Sequence, residues 1–501
     1  MTMSDDVLII GGGLGGLFTG AILARTGHRV TVLERHHTAG GGLQTFTRRG
    51  FAFETGMHML GGMRPGGSVM RLCRWLGIAD HLNLRHADAD CMDQVTYLGP
   101  GDTYRLPEGR KAFTQYLVGC FPAERAGIER YVASLYRMAD EVDLFNLRPS
   151  ELQMRPHGND FLMPADEWIA RYVRDLRLRD LLAYMNPMYG GVAGHAPAYV
   201  HALINVLYIN GTDRFVGGSQ PLANALTGVI EQGGGRVLTD HDVLAVDVAD
   251  RQVAAVHTAH RTFTARHYIS AVHPWVLFKL MGEQGFSPAY RARLRSVSNS
   301  YSAFTLFAIF RPGTFPYINH TCYYQEDYGH VWTLGDYDET DWPRGFMYMT
   351  PCDAGQGPWA TKMIVNCLMP YSAVKRWEHT TTGHRGADYK QWKQRRCRQV
   401  LDKLERLYPG FAAKVETFYS SSPLTIRDYY NQPEGSLYGL QKDCRDIAAS
   451  QIAVVTRVRN LLLTGQNVNL HGICGVPLTA ITTAEAIEGS NEIIRRINRE
   501  T

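Results

Sequence analysis

The chain has 501 residues, 45% of them hydrophobic and 20% charged, which excludes intrinsic disorder and allows two or three domains whose cores need no disulfide staples. Lys and Arg number 52 against 48 Asp and Glu, a net charge of +4, so no nucleic-acid partner is expected. Glycine stands out at 50 residues, about a tenth of the chain where ~7% is usual, with no collagen-like period.

The start, Met1-Thr2-Met3-Ser4-Asp5-Asp6, is acidic and runs into the short apolar strand Val7 to Ile10, unlike a signal peptide. A glycine turn, Gly11 to Gly16, leads to a predicted helix over 17–26 that stops at Gly27. A second strand over 29–33 is closed by Glu34, which makes a βαβ opening. From about 112 to 183 the pattern is helical, with predicted helices over 123–145, 165–174 and 179–184. The run 198–209 is strongly apolar but is broken by His201 and Asn205 and falls short of the ~20 residues of a spanning helix. After Gly217-Gly218-Ser219 come a helix over 221–232 and strands near 236–238, 243–248, 253–257 and 268–272. Segments 301–310 and 347–369 are β-rich, and 389–407 reads as a basic amphipathic helix with a solvated face. A strand over 460–464 and a closing helix over 477–496, with Pro477 near its first turn, end the chain.

This order predicts an α/β protein with a discontinuous nucleotide-binding Rossmann domain (1–90, 215–290 and 455–501). An inserted α+β substrate domain with a helical cap would take 91–214 and 291–454. The nine cysteines are scattered with no Cys-x-x-Cys, so reduced thiols, a cytoplasmic location and no metal site are expected. Peripheral membrane contact and oligomeric state are left open.

Gly11-x-Gly13-x-x-Gly16 follows a strand and opens a helix. Such glycines allow a tight turn, a close approach of backbone to pyrophosphate, and helix–strand packing. The helix start offers free N–H groups and a positive dipole end to phosphates. Glu34, with Arg35 beside it, ends the second strand, where a carboxylate can accept a ribose hydroxyl. Gly40-Gly41-Gly42 follows. An acid, a short gap and a glycine pair return the backbone to the pyrophosphate in glutathione-reductase-type flavoproteins. There is no second Gly-x-Gly-x-x-Gly after a strand, so one FAD is the economical reading.

Three further blocks carry a family resemblance. Gly50 to Gly61 includes Glu54-Thr55-Gly56-Met57-His58, and Ser422-Pro423-Leu424-Thr425 leads to Pro433-Glu434-Gly435-Ser436-Leu437-Tyr438-Gly439. Leu463-Thr464-Gly465-Gln466 runs on to Gly475-Val476-Pro477. These resemble motifs shared by phytoene desaturases, carotenoid isomerases and retinol saturases, FAD-dependent oxidoreductases acting on carbon–carbon double bonds. The order Thr-Gly-Met-His, the small Gly42 where desaturases carry Arg, and Leu-Thr-Gly-Gln resemble the retinol saturase branch. Asn467, and Ile426-Arg427-Asp428, depart from that branch.

The resemblance implies that Gly56, Met57, Gly465, Gln466, Gly475 and the N-terminus of the Pro477 helix meet the flavin, and that Val243 offers backbone to the adenine. It also implies a lipophilic polyene or isoprenoid substrate. The electron donor is left open, with NAD(P)H a candidate. Saturating a polyene needs a proton besides the flavin hydride. His58 and Tyr438 are the candidate proton donors, each with a plain structural alternative: a backbone-bonded histidine and an aromatic wall. Aromatic and Met residues at 184–189, 208, 304, 307, 323–324, 332 and 347–349 would pack the core or line an apolar tunnel. Desaturation, redox-neutral cis–trans isomerisation, amine oxidation and a flavin-stabilised lipid carrier are the alternatives.

Overall fold

Val7 and Ile9 point to one face of their strand and Leu8 and Ile10 to the other, and each pair is buried in a different core. That two-sided burial requires cover on both faces. The computed structural model, which describes residues 5–56, 58–150, 157–282 and 285–501, supplies it. The strand Asp5–Ile10 is the centre of a five-stranded parallel sheet in the order Arg236–Leu238, Val30–Leu33, Asp5–Ile10, Ala265–Ser270, Leu461–Leu463. On one face Val7 and Ile9 share a core with Leu17 and Ile22 of helix Leu14–Arg25 and with Ala480 and Ile481 of helix Gly472–Glu488. On the other, Leu8 and Ile10 share a core with Val246 and Val256 of a small antiparallel sheet and with Leu277 and Phe278 of helix Pro274–Met281.

A second, seven-stranded sheet is mixed, in the order Val415–Ser421, Ser302–Phe310, Lys362–Met369, Gly345–Met349, Thr321–Gln325, Asp93–Tyr97, Asp102–Leu106. All nine residues of Ser302–Phe310 are buried. Phe304, Leu306 and Ala308 share a core with Trp392, Val400 and Leu404 of helix Gly386–Leu407. The opposite face puts Phe307 edge-on against Phe46 and Phe53 of the hairpin Thr45–Glu54. The same face presents Ala303 and Thr305 to a cavity.

Helices Arg110–Cys120, Arg125–Asp140 and Ala198–Ile209 belong to the helical segment. The two polar residues in the apolar run 198–209 are internally satisfied. His201 pairs with the hydroxyls of Tyr131 (2.7 Å) and Tyr189 (3.0 Å), and Asn205 donates to the His201 carbonyl. Burial lowers His201 to about 3, so it stays neutral and the helix packs inside the protein. Among the described residues no helix is long and apolar enough to cross a membrane.

Several predicted helices differ: that over 165–174 ends at Ala170, and that over 179–184 runs Leu176–Leu182. The helix expected over 123–145 ends at Asp140, and a separate turn, Leu144–Asn146, follows. The closing helix begins at Gly472, not near Pro477, and breaks after Glu488 before a second helix, Glu492–Glu500. Pro477 is therefore its sixth residue. Proline's preference for a first turn placed the start too late, because Gly472 and the residues after it carry no capping signal.

Candidate functional site

Three glycine segments meet where their side chains are missing. A Cβ on Gly16 would fall 1.9 Å from the Gly11 carbonyl oxygen, so only glycine lets helix Leu14–Arg25 start this close to the strand. A Cβ on Gly15 would lie 2.9 Å from Gly465 Cα, and one on Gly41, where φ is +55°, 3.1 Å from Gly13 Cα. The Gly40 N–H donates to the Gly12 carbonyl at 2.8 Å, tying the second glycine segment to the first. The result is a cradle made of backbone, open at one end of a cavity of about 750 Å³.

Gly11, Gly13, Glu34, Arg35, Gly41 and Gly42 line the cradle side of that cavity. Gly465, Gln466, Gly475 and Val476 line it from the C-terminal motif, and Val243 from the small sheet. Gly56, His58 and Tyr438 line it as well. Gly16 and Gly40 hold the cradle from behind. Pro477 is buried within its helix and does not reach the cavity wall. Met57 lies outside the described residues.

The Glu34 carboxylate is buried and accepts the Gly12 N–H on Oε2 and the His36 N–H on Oε1, both at 2.8 Å. Its position is thus set by backbone, and each oxygen keeps a lone pair for a ligand hydroxyl. Arg35 is held by a hydrogen bond to the Asp428 carbonyl.

At the other candidate residues, His58 Nδ1 faces Glu54 Oε2 at 3.4 Å, with both side chains nearly buried. The Tyr438 hydroxyl donates to the Pro187 carbonyl at 2.8 Å, and burial raises its pKa well above the usual phenol range. Its ring packs on His471, centroids 4.3 Å apart. His471 Nε2 lies 2.9 Å from the Met188 carbonyl, so that nitrogen carries the proton; burial lowers the imidazole to about 4 and keeps it neutral. His471 was not anticipated; its only sequence signal is a histidine just before a glycine of the C-terminal motif. Of the aromatic and Met residues expected in a tunnel, Met188, Tyr208 and Met347 line the cavity. Phe304, Tyr324 and Tyr348 sit in the core against helix Gly386–Leu407.

Beyond the cradle the cavity is bordered by Leu203, Leu207, Met347 and Leu368. It therefore joins a polar, glycine-built end to an apolar stretch. Two buried polar atoms on its border, Tyr430 Oη and Gln432 Oε1, have no hydrogen-bond partner among the described residues. Buried polar atoms rarely go unpaired, so these fit a bound group that carries its own donors and acceptors. The cradle, the fixed carboxylate and the orphaned polar atoms together suit a flavin dinucleotide.

Residues 14–488 match the family model described as flavin containing amine oxidoreductase. The human all-trans-retinol 13,14-reductase is 28% identical, over 96% of this chain and 85% of its own. A chloroplastic prolycopene isomerase of an Oncidium hybrid cultivar is 24% identical, over 87% of this chain and 75% of its own. Among solved structures, an oxidoreductase from Methanosarcina mazei superposes with a TM-score of 0.66 at 19% identity, covering 96% of this chain and all of that one. A putrescine oxidase gives 0.66 at 15% identity, covering 97% of this chain and 99% of that one. With its parallel sheet, glycine cradle and near full-length match, the chain belongs to the flavin containing amine oxidoreductase family and is a flavin-dependent oxidoreductase.

Proposed function

We propose that the protein holds one FAD in the glycine cradle and reduces a carbon–carbon double bond of a long apolar polyene or isoprenoid. One observation carries the reading: a single cavity runs from the cradle into a stretch lined by Leu203, Leu207, Met347 and Leu368. An apolar chain laid along that stretch would end beside a flavin ring held at the cradle. The similarity to retinol reductases favours this substrate class over amines.

In this reading Gly11, Gly13, Gly41 and Gly42 leave room for the pyrophosphate, and Glu34 accepts a ribose hydroxyl. Gly465, Gln466, Gly475 and Val476 border the ring. Backbone N–H groups at the start of helix Gly472–Glu488 would favour negative charge on a reduced flavin bound beside them. When bound, the flavin supplies hydride transfer. The protein's own part is to keep water from the apolar stretch, to hold the polyene against the ring, and to provide a proton. His58, its Nδ1 3.4 Å from Glu54 Oε2, stands on the cavity wall. Tyr438, its hydroxyl spent on Pro187, serves as wall.

The FAD-binding domain in this reading is 1–90, 215–290 and 455–501, supported by a parallel sheet whose strands all come from those segments.

The test is anaerobic. Purified protein should be yellow. Once its flavin is reduced, all-trans-retinol should reoxidise it and leave a product two hydrogens heavier. A product of unchanged mass and altered double-bond geometry would replace reduction by isomerisation. Colourless protein that binds no added FAD would overturn the reading.

A further inference from the structure

Several polar side chains on the cavity wall could give a proton to a substrate carbon, and their hydrogen bonds sort them. The Tyr438 hydroxyl is committed to the Pro187 carbonyl. The Nε2–H of His471 is committed to the Met188 carbonyl. Thr305 donates to Asn366 Oδ1 at 2.9 Å. His58 Nδ1 faces Glu54 Oε2 at 3.4 Å. Tyr208 differs from all four. It lies one residue before the end of helix Ala198–Ile209 and lines the cavity. Its hydroxyl has no hydrogen-bond partner among the described residues. Of the other hydroxyls without a partner among the described residues, that of Tyr97 is sealed in protein and that of Tyr430 sits beside Gly56 at the cradle end of the cavity; Tyr208 borders the cavity from the helix that also carries Leu203 and Leu207.

Its position is also fixed. The neighbouring Leu207 packs so closely on Gly61 that a Cβ there would fall 2.4 Å from Leu207 Cγ. The helix is thereby seated on the segment that carries Gly56 and His58. The Tyr208 hydroxyl lies within electrostatic range of Tyr438 and of Cys474 in the first turn of the closing helix. Leu203 and Leu207 of the same helix border the apolar stretch and Gly475 of the closing helix borders the cradle side, so in the saturase reading the reacting double bond lies between them.

We propose that Tyr208 is the catalytic residue that protonates the substrate. The assignment rests on the saturase reading above. Hydride and its electron pair pass from reduced flavin to one carbon of the conjugated system. The Tyr208 O–H bond breaks and a C–H bond forms at the partner carbon. The substrate gains one hydride and one proton, two hydrogens in all, and the flavin is left oxidised. The phenolate takes its proton back from water, and a two-electron donor of the nicotinamide class reduces the flavin again. A phenol suffices because hydride addition leaves a delocalised carbanion, a far stronger base than phenolate. Burial raises the Tyr208 pKa, which keeps the proton on the hydroxyl until that base forms.

Tyr208→Phe removes only the hydroxyl. Tyr323→Phe is the control, since Tyr323 is a buried neighbour whose hydroxyl faces Met59 Sδ at 3.9 Å. Both variants should retain wild-type flavin content and spectrum. In the anaerobic assay with all-trans-retinol, Tyr208→Phe should reoxidise about 100-fold slower or less, and Tyr323→Phe at the wild-type rate. In D2O the wild-type product should carry deuterium at the carbon that Tyr208 protonates, with a solvent isotope effect that is smaller in Tyr208→Phe. Without turnover, retinol bound to the oxidised holoenzyme should absorb at a different wavelength in Tyr208→Phe, because the hydroxyl faces its conjugated chain. Wild-type rates in Tyr208→Phe, or identical spectra of bound retinol, would overturn the role and leave the reductase reading standing. Wild-type enzyme that is not reoxidised would overturn both.

Discussion

Glu34 Oε2 accepts the Gly12 N–H at 2.8 Å, and the second oxygen takes the His36 N–H at the same distance. The carboxylate is thus a structural clamp on the first glycine turn, with lone pairs left for a ligand hydroxyl. Glu34→Ala leaves two backbone donors unpaired and should destabilise the fold by about 2 kcal/mol. Glu34→Gln can accept only one of them. Both should lower the flavin retained per protein, read from visible absorbance against protein absorbance, with Ala the more severe.

Gly16→Ala should be far more damaging than its chemistry implies. Its Cβ would sit 1.9 Å from the Gly11 carbonyl oxygen, which is backbone and cannot swing aside, and 3.3 Å from Ile9 Cγ2. A loss of about 4 kcal/mol or more is expected. Gly42, whose Cβ would meet nothing within 4 Å, is the contrasting position. Gly42→Ala should fold normally, with thermal melts separating the two.

Tyr438 offers a clean separation of wall from acid. Tyr438→Phe loses the bond to Pro187 and should cost about 1 kcal/mol of stability. Its effect on turnover should stay far below the ~100-fold that loss of a general acid brings. Tyr438→Ala also removes the ring packed on His471 and should lower turnover by opening the wall. Equal, large losses in both variants would reinstate the hydroxyl as an acid.

Asp93 gives the fold a pH dependence. It is fully buried, and desolvation raises its pKa to about 7, opposed by a hydrogen bond from Tyr184 and by the Arg214 charge. An acid whose folded pKa lies above its unfolded value contributes stability that is complete below about pH 4 and lost as pH rises through 7. Asp93→Asn keeps an acceptor for Tyr184 and cannot ionise. The melting temperature of the variant relative to wild type should therefore rise between pH 5 and pH 8. A difference that does not change with pH would sink the assignment.

Much of the cradle was readable from residue order. Gly11 to Gly16, Glu34 and Gly40 to Gly42 carry their geometry locally, since a missing side chain and a strand-end acid act on adjacent backbone. The βαβ opening followed from apolar residues on both faces of Val7 to Ile10. Pro477 misled because a local preference was read where Gly472 had already begun the helix. Burial in the Ala198–Ile209 helix was legible, whereas the partners that make His201 and Asn205 tolerable there were not.

The chain's order of residues thus settled the cofactor class and the Rossmann half, because those depend on short-range backbone rules. It could not settle which tyrosine hydroxyl on the cavity is left without a protein partner. Tyr208 and Tyr438 are both tyrosines in aromatic surroundings, and they differ only in what lies opposite. Pro187 comes 251 residues before Tyr438 and takes its proton, while nothing among the described residues takes that of Tyr208. Hydrogen-bond partners so distant in sequence are chosen by packing, and packing is what assigned one hydroxyl to the wall and left the other free on the cavity.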